Sequence, residues 1–259
     1  MNIAKQELEK QELEKQGYTV SSLGLESSDN GEIKEADVLL LPVPTTRDGK
    51  TIFCPDTDKK IPLDAVYQAK ENALILSCGY SFENTNYIDY LKLDSFCLLN
   101  AVPTAEGAIA RAINDTPFCL WQSKVLVIGN GRVAKILTDR LVGLKCDVTV
   151  SARKASDFAY LDALDIKRIH TRDVPQAAEQ FDIIFNTIDV TLFDDISKLK
   201  DCYLYDLSTK GCIDFEAAQQ HGIKAVKLPG IPGKIAPTTA GKIIAQTVNE
   251  LIGEWVCKI

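Results

Sequence analysis

With 259 residues, 46% of them hydrophobic and 25% charged, the chain has the make-up of an ordinary folded protein, which excludes disordered, collagen-like and low-complexity architectures. That length fits one large domain or two of about 130 residues. A formal net charge of −7 repels a phosphate backbone and counts against general nucleic-acid binding, while leaving room for a local basic site.

In chain order, the repeated Lys/Glu/Gln stretch Lys5–Lys15 predicts a solvated surface helix stopped at Gly17, because its apolar content is only Ile3, Leu8 and Leu13. A polar loop is expected through Glu32. Ala36–Pro42 and Ala73–Gly79 read as buried parallel strands, with a helix over Asp64–Glu71 and a polar loop after the second strand. Thr104 is the expected N-cap of a helix running to Ile113 and ended by Asp115-Thr-Pro117. From Ser123 the pattern sharpens. Strands are expected at Lys124–Ile128, Asp147–Ser151, Arg168–His170, Asp182–Thr187, Cys202–Asp206 and Lys224–Leu228. Helices alternate with them, near Ser156–Leu164 and Val174–Gln180, and a long apolar-faced helix, Thr239–Val256, closes the chain.

The eight cysteines, at 54, 78, 97, 119, 146, 202, 212 and 257, form no C-x-x-C pair, and several sit in apolar runs. They read as reduced, buried thiols rather than a disulfide framework or a zinc site. No secretory pattern opens the chain, and the longest apolar stretches run to about seven residues, far short of a membrane span. A cytoplasmic protein is expected.

The strongest motif is Gly129-Asn130-Gly131-Arg132-Val133-Ala134, a G-x-G-x-x-A placed directly after a strand and opening a helix. Gly129 allows a tight turn, Gly131 lets a pyrophosphate approach the backbone, and Ala134 permits close helix–strand packing. At the end of the next strand an NAD site usually carries an acid for the ribose 2′-hydroxyl. Here stand Ser151, Arg153 and Lys154, a set suited to a 2′-phosphate, so NADP is the expected cofactor.

Ligands of open α/β sheets lie outside the carboxyl ends of the strands. That rule nominates Asn186, Thr187 and Ile188, then Asp206, Leu207 and Ser208, as further cofactor contacts. It nominates the stiff, sharply turning loop Leu228–Lys234 as a wall of the site, with Pro229, Gly230 and Lys234 toward substrate. Pro42 and Val43, at the end of the first strand, and Thr104 complete the expected substrate contacts. No catalytic base is identified. His170 and His221 read as surface or capping residues, Asp194-Asp195 as a solvated helix start, and no metal site is expected.

The segments Asn100-Ala-Val-Pro-Thr-Ala-Glu-Gly107 and Leu228-Pro-Gly-Ile-Pro-Gly-Lys-Ile-Ala-Pro-Thr-Thr-Ala-Gly241 resemble those of the dipicolinate synthase A-subunit family, with weaker matches at Leu41-Pro-Val43, the glycine turn and Asn186-Thr-Ile188. The resemblance runs from about residue 36 to the end. It implies an α/β fold: a doubly wound parallel Rossmann-type sheet over residues 101–238, with a second, smaller flavodoxin-like domain over 1–100 completed by the closing helix, 239–257. It also implies a likeness to 2-hydroxyacid and alanine dehydrogenases. The implied activity is NADP-dependent formation of dipicolinate from a dihydrodipicolinate-pathway intermediate, a small cyclic dicarboxylate, in a spore-forming cell. A flavodoxin-like B subunit is the implied partner, and a homo-oligomer, as a dimer, is expected from the architecture.

This chain departs from the family's pattern at three places. The family's opening strand and the glycine-containing turn after it are not expected in the first domain. Thr209-Lys-Gly-Cys-Ile213 replaces a Pro-Gly-Gly turn, and Asp189 stands where a Pro is usual. A nucleotide-binding regulatory or assembly protein without turnover is the alternative. A free-standing 2-hydroxyacid dehydrogenase ranks last, because no His–acid pair with a substrate-binding Arg is found.

Overall fold

The computed structural model describes residues 3–21, 31–54 and 60–257. In chain order it contains α1 (Ile3–Lys15), α2 (Gly31–Glu35), β1 (Val38–Leu40), β2 (Leu74–Ser77), β3 (Asn86–Asp89), α3 (Asp94–Asp115), β4 (Lys124–Ile128), α4 (Arg132–Gly143) and β5 (Asp147–Ala152). There follow α5 (Ala155–Ala163), β6 (Lys167–His170), α6 (Val174–Ala177), β7 (Ile183–Asn186), β8 (Tyr203–Asp206), α7 (Phe215–Gln220), β9 (Lys224–Lys227), α8 (Ile231–Ile235) and α9 (Pro237–Val256). Much of the expected polar loop through Glu32 lies outside the described residues. Residues up to Asn100, together with those from Pro232 onward, make one compact unit, and Ala101–Ile231 makes another.

The second unit is built on a six-stranded parallel sheet in the order β6-β5-β4-β7-β8-β9. Alternate residues of its central strands feed two cores. Val125, Val127, Ile183 and Phe185 pack with Leu137 and Leu141 of α4 on one face. Leu126, Ile128 and Ile184 pack with Val174, Leu199 and Leu204 on the other. Helices cover both faces, so these strands read as unbroken apolar runs instead of alternating ones. This is the doubly wound Rossmann-type sheet expected from the sequence. Its chain order reverses between β4 and β7, where such sheets bind ligands.

The first unit holds a smaller parallel sheet, β1-β2-β3. Leu74 and Leu76 of β2 pack with Ile243, Ile244, Val248, Leu251 and Ile252 of α9 and with Leu13 of α1. Ile75 points the other way, toward Leu39, Leu63, Val66 and Phe82.

Several sequence expectations change here. Helix α1 is not simply solvated: Leu13 is buried, and just beyond the helix Tyr18 Oη donates to Asn249 Oδ1 at 2.9 Å. Among its described side chains, Leu13 joins the apolar face of α9 in one core. Strand β3 was missed, its Asn-Tyr-Ile-Asp sequence being too polar to stand out. The helix expected over Asp64–Glu71 is a 3-10 turn, Leu63–Gln68. Helix α3 begins ten residues before Thr104 and carries Pro103 in its interior, so Thr104 is a half-buried mid-helix residue and not an N-cap. The cysteines are all free, but only Cys78, Cys202 and Cys212 are buried, while Cys119 and Cys257 are exposed. Among the described residues no helix is long and apolar enough to cross a membrane.

Candidate functional site

The site is built from the loops at the carboxyl ends of β4, β5, β7 and β8. Gly129 leaves β4 with φ +102°, and its N–H donates to Ser151 O at 3.1 Å and to Ser151 Oγ at 3.3 Å. A Cβ at this position would lie 2.6 Å from Ile188 Cγ2 and 2.7 Å from Thr187 Oγ1. Both the left-handed backbone and the crowding therefore demand glycine. Gly131 differs. Its φ of −80° suits any residue, and a Cβ there would meet nothing within 4 Å. What its missing side chain leaves is open space at the entry to α4, where an approaching phosphate meets backbone N–H groups and the positive end of the helix. Arg132, exposed, and Val133, half-buried, form the first turn, and Ala134 is fully buried against the sheet.

The carboxyl end of β5 corrects one expectation. Ser151 is fully buried: its hydroxyl accepts from Gly129 N and lies 3.3 Å from the buried Thr171 Oγ1. It braces the glycine turn from inside and is not placed to meet a 2′-phosphate. Arg153 and Lys154 are exposed in the loop between β5 and α5, and neither is ion-paired among the described residues. Asn130, between the two glycines, donates from Nδ2 to Asp157 Oδ1 at 3.2 Å and so ties the turn to α5. Sequence reasoning missed Asp157. Its place in the first turn of α5 was the available signal.

The loops after β7 and β8 are built otherwise. Asn186 is buried and closes a local ring, donating to Ile188 O at 2.9 Å and accepting from Ile188 N at 3.3 Å. Thr187 Oγ1 donates to Ile128 O at 2.8 Å, which seats Ile188 over Gly129. Asp206 is buried too, its carboxylate accepting from Ser208 N at 2.8 Å, Ser208 Oγ at 2.6 Å and Cys212 N at 2.7 Å. Leu207 packs into the core, and Ser208 Oγ accepts from Gly211 N at 3.1 Å. Asn186, Asp206, Leu207 and Ser208 thus shape the loops, and their groups are not turned outward as the cofactor contacts expected from the sequence. Burial first, and then the Asp206 charge, push the Cys212 thiol far above its ordinary range, so it stays protonated. Two of the three departures from the family pattern meet here, because Asp189 Oδ1 accepts from Lys210 N at 2.8 Å and Leu192 N donates to Cys212 O at 3.0 Å.

The expected substrate contacts fall in both units. Pro42 and Val43 follow β1 in the first unit, both half-buried, with Val43 packed against its core. Thr104 lies in α3. Pro229 and Gly230 are exposed after β9, with φ +65° at Gly230. The expected stiff loop stops there, because Ile231–Ile235 is helical; exposed Lys234 rides on that helix in the first unit. His170 Nδ1 accepts from Arg172 N at 3.2 Å, and His221 Nδ1 lies 2.8 Å from Ala217 O, so both histidines cap element ends as expected. Asp195 accepts from Ser197 N at 3.0 Å at the start of a 3-10 turn. Among the described residues no group of three or more His, Cys, Asp or Glu could hold a metal.

Comparison with known proteins agrees with this geometry. A family model described as NAD(P)-binding matches residues 119–198, which include the glycine turn and Arg153-Lys154. The A subunit of dipicolinate synthase from Bacillus subtilis strain 168 is 31% identical over 165 residues, an alignment covering 62% of this chain and 56% of that protein. The match thus spans little more than half of the curated relative's length. Two solved structures of the same subunit extend it. The one from Bacillus subtilis has a TM-score of 0.85 and 25% identity, with 99% and 95% of the two chains covered. The one from Bacillus halodurans has a TM-score of 0.82 and 25% identity, with 96% and 94% covered. The apo D-lactate dehydrogenase of Escherichia coli, at 13% identity and a TM-score of 0.58 over 97% and 93% of the chains, shares the fold. The resemblance to the dipicolinate synthase A-subunit family therefore holds in sequence and in fold. The NAD(P)-binding match lies within the second unit, on the sheet that carries the glycine turn.

Proposed function

We propose that this chain, similar to the A subunit of dipicolinate synthase in sequence and in fold, is the NADP-dependent component of an enzyme that forms dipicolinate from a dihydrodipicolinate-pathway intermediate. The observation that carries the reading is the open approach at Gly131 together with the exposed Arg153 and Lys154, neither of them ion-paired among the described residues. When bound, the nicotinamide supplies the hydride chemistry. Gly131, Arg132 and Val133 would hold the pyrophosphate at the first turn of α4. Arg153 and Lys154 would hold the 2′-phosphate, Arg153 through its planar fork of donors. Thr187 and Ile188 would keep the turn closed from behind. Pro229 and Gly230, exposed after β9, would meet the small cyclic dicarboxylate. The reading carries with it a cytoplasmic setting in a spore-forming cell, a homodimer, and partnership with a flavodoxin-like B subunit.

The test is turnover of the chain reconstituted with that partner, following dipicolinate by its ultraviolet absorbance. Dipicolinate formation coupled to reduction of NADP supports the proposal. Tight NADP binding with no product contradicts it and favours a second reading, a nucleotide-binding regulatory or assembly protein without turnover. The observation behind that second reading is the engagement of both histidines as caps.

A further inference from the structure

We infer that the Asn130–Asp157 hydrogen bond sets the nucleotide preference of this site, by holding the Asp157 carboxylate off the Arg153–Lys154 pair. The inference rests on the proposed NADP reading and deepens it. Asp157 is the carboxylate best placed to spoil a 2′-phosphate site. It lies in the first turn of α5, and its N–H donates to Lys154 O at 3.0 Å, so it stands one helical turn from the cation. Side chains three residues apart on a helix are neighbours. A free carboxylate there would pair with Lys154 or Arg153, repel the phosphate, and offer a ribose hydroxyl the kind of acceptor that the strand-end acid of an NAD site supplies. Neither ion pair is formed among the described residues. Asp157 Oδ1 instead accepts from Asn130 Nδ2 at 3.2 Å, and both residues are half-buried. Asn130 stands between the two glycines, so the same bond anchors the cation-bearing loop to the pyrophosphate turn. Asn130 is on this view a positioning residue: it acts on the phosphate through Asp157 and the loop.

The experiment measures affinity for NADPH and for NADH in the wild type, Asn130→Leu, Asp157→Asn and the double variant. Asn130→Leu frees the carboxylate and should lower the NADPH-to-NADH affinity ratio about tenfold, the scale of one misplaced charge. Asp157→Asn removes the charge and should keep or raise the ratio. The double variant lacks both the bond and the charge, and should return the ratio to within about threefold of wild type. A general loss of fold or of the pyrophosphate turn lowers both affinities together and leaves their ratio alone. Equal weakening by Asn130→Leu, or no recovery in the double variant, overturns the inference while the NADP reading survives. Equal binding of the two nucleotides by the wild type overturns both.

Discussion

The two halves of the six-stranded sheet use polar residues at their strand ends in opposite ways. On the β4–β5 side, Gly131 opens onto free space, and Arg153 and Lys154 are exposed and form no ion pair among the described residues. On the β7–β8 side, Asn186, Asp206, Ser208 and Asp189 spend theirs on the loops that carry them. A polar residue at a strand end is therefore not a ligand contact by position alone. What separates the two roles is whether its hydrogen-bonding capacity is already used inside the protein.

Substitutions can break that contrast. The largest effect is expected at Asp206, whose buried carboxylate takes three donors: Asp206→Ala should cost about 3 kcal/mol in urea unfolding, because the Ser208 and Cys212 donors lose a charged acceptor. Nucleotide affinity of the folded protein should stay within about threefold. A collapse of affinity at unchanged stability would return Asp206 to the binding site. The two glycines form a sharper pair. Gly129→Ala should destabilise by about 2 kcal/mol, through its left-handed backbone and the contacts with Thr187 and Ile188, and should also abolish nucleotide binding. Gly131→Ala should leave unfolding within about 0.5 kcal/mol of wild type while weakening the nucleotide about tenfold or more. Similar behaviour of the two variants would remove the distinction between a turn glycine and an approach glycine.

The smallest effects concern the thiols. Alkylation at pH 8 should mark the exposed Cys119 and Cys257 first, and Cys78, Cys202 and Cys212 only after unfolding. Burial pushes the Cys202 thiol from an ordinary 9.0 up to about 12. A raised folded value means that its contribution to stability is complete below the unfolded value and fades as pH climbs toward 12. Unfolding midpoints of Cys202→Ala and wild type should therefore converge across that alkaline window. Prompt labelling of Cys202 in the folded protein would contradict its burial.

The nucleotide half was the most legible part of the sequence. Lys124–Ile128 was bounded as observed, because an apolar run meets a glycine turn and the period then changes to that of a helix. The start of α3 was hidden by Pro103, which costs about 3 kcal/mol inside a helix and so reads as a boundary; here it lies buried well inside the helix. The role of Ser151 was equally hidden. In a strand covered on both faces every side chain is buried, and alternation cannot say which way a hydroxyl turns. The Asn130–Asp157 bond joins residues 27 apart; the place of Asp157 in the first turn of α5 marks it as a candidate, but nothing local pairs it with Asn130.

The central claim is an NADP site made by Gly131, Arg153 and Lys154. Calorimetric titration of the wild type and of Arg153→Ala with NADPH and with NADH tests it most directly. The wild type should bind NADPH at least about tenfold more tightly, and Arg153→Ala should lose most of that preference while keeping its NADH affinity. Equal binding of the two nucleotides by the wild type, or an undiminished preference in the variant, would contradict it.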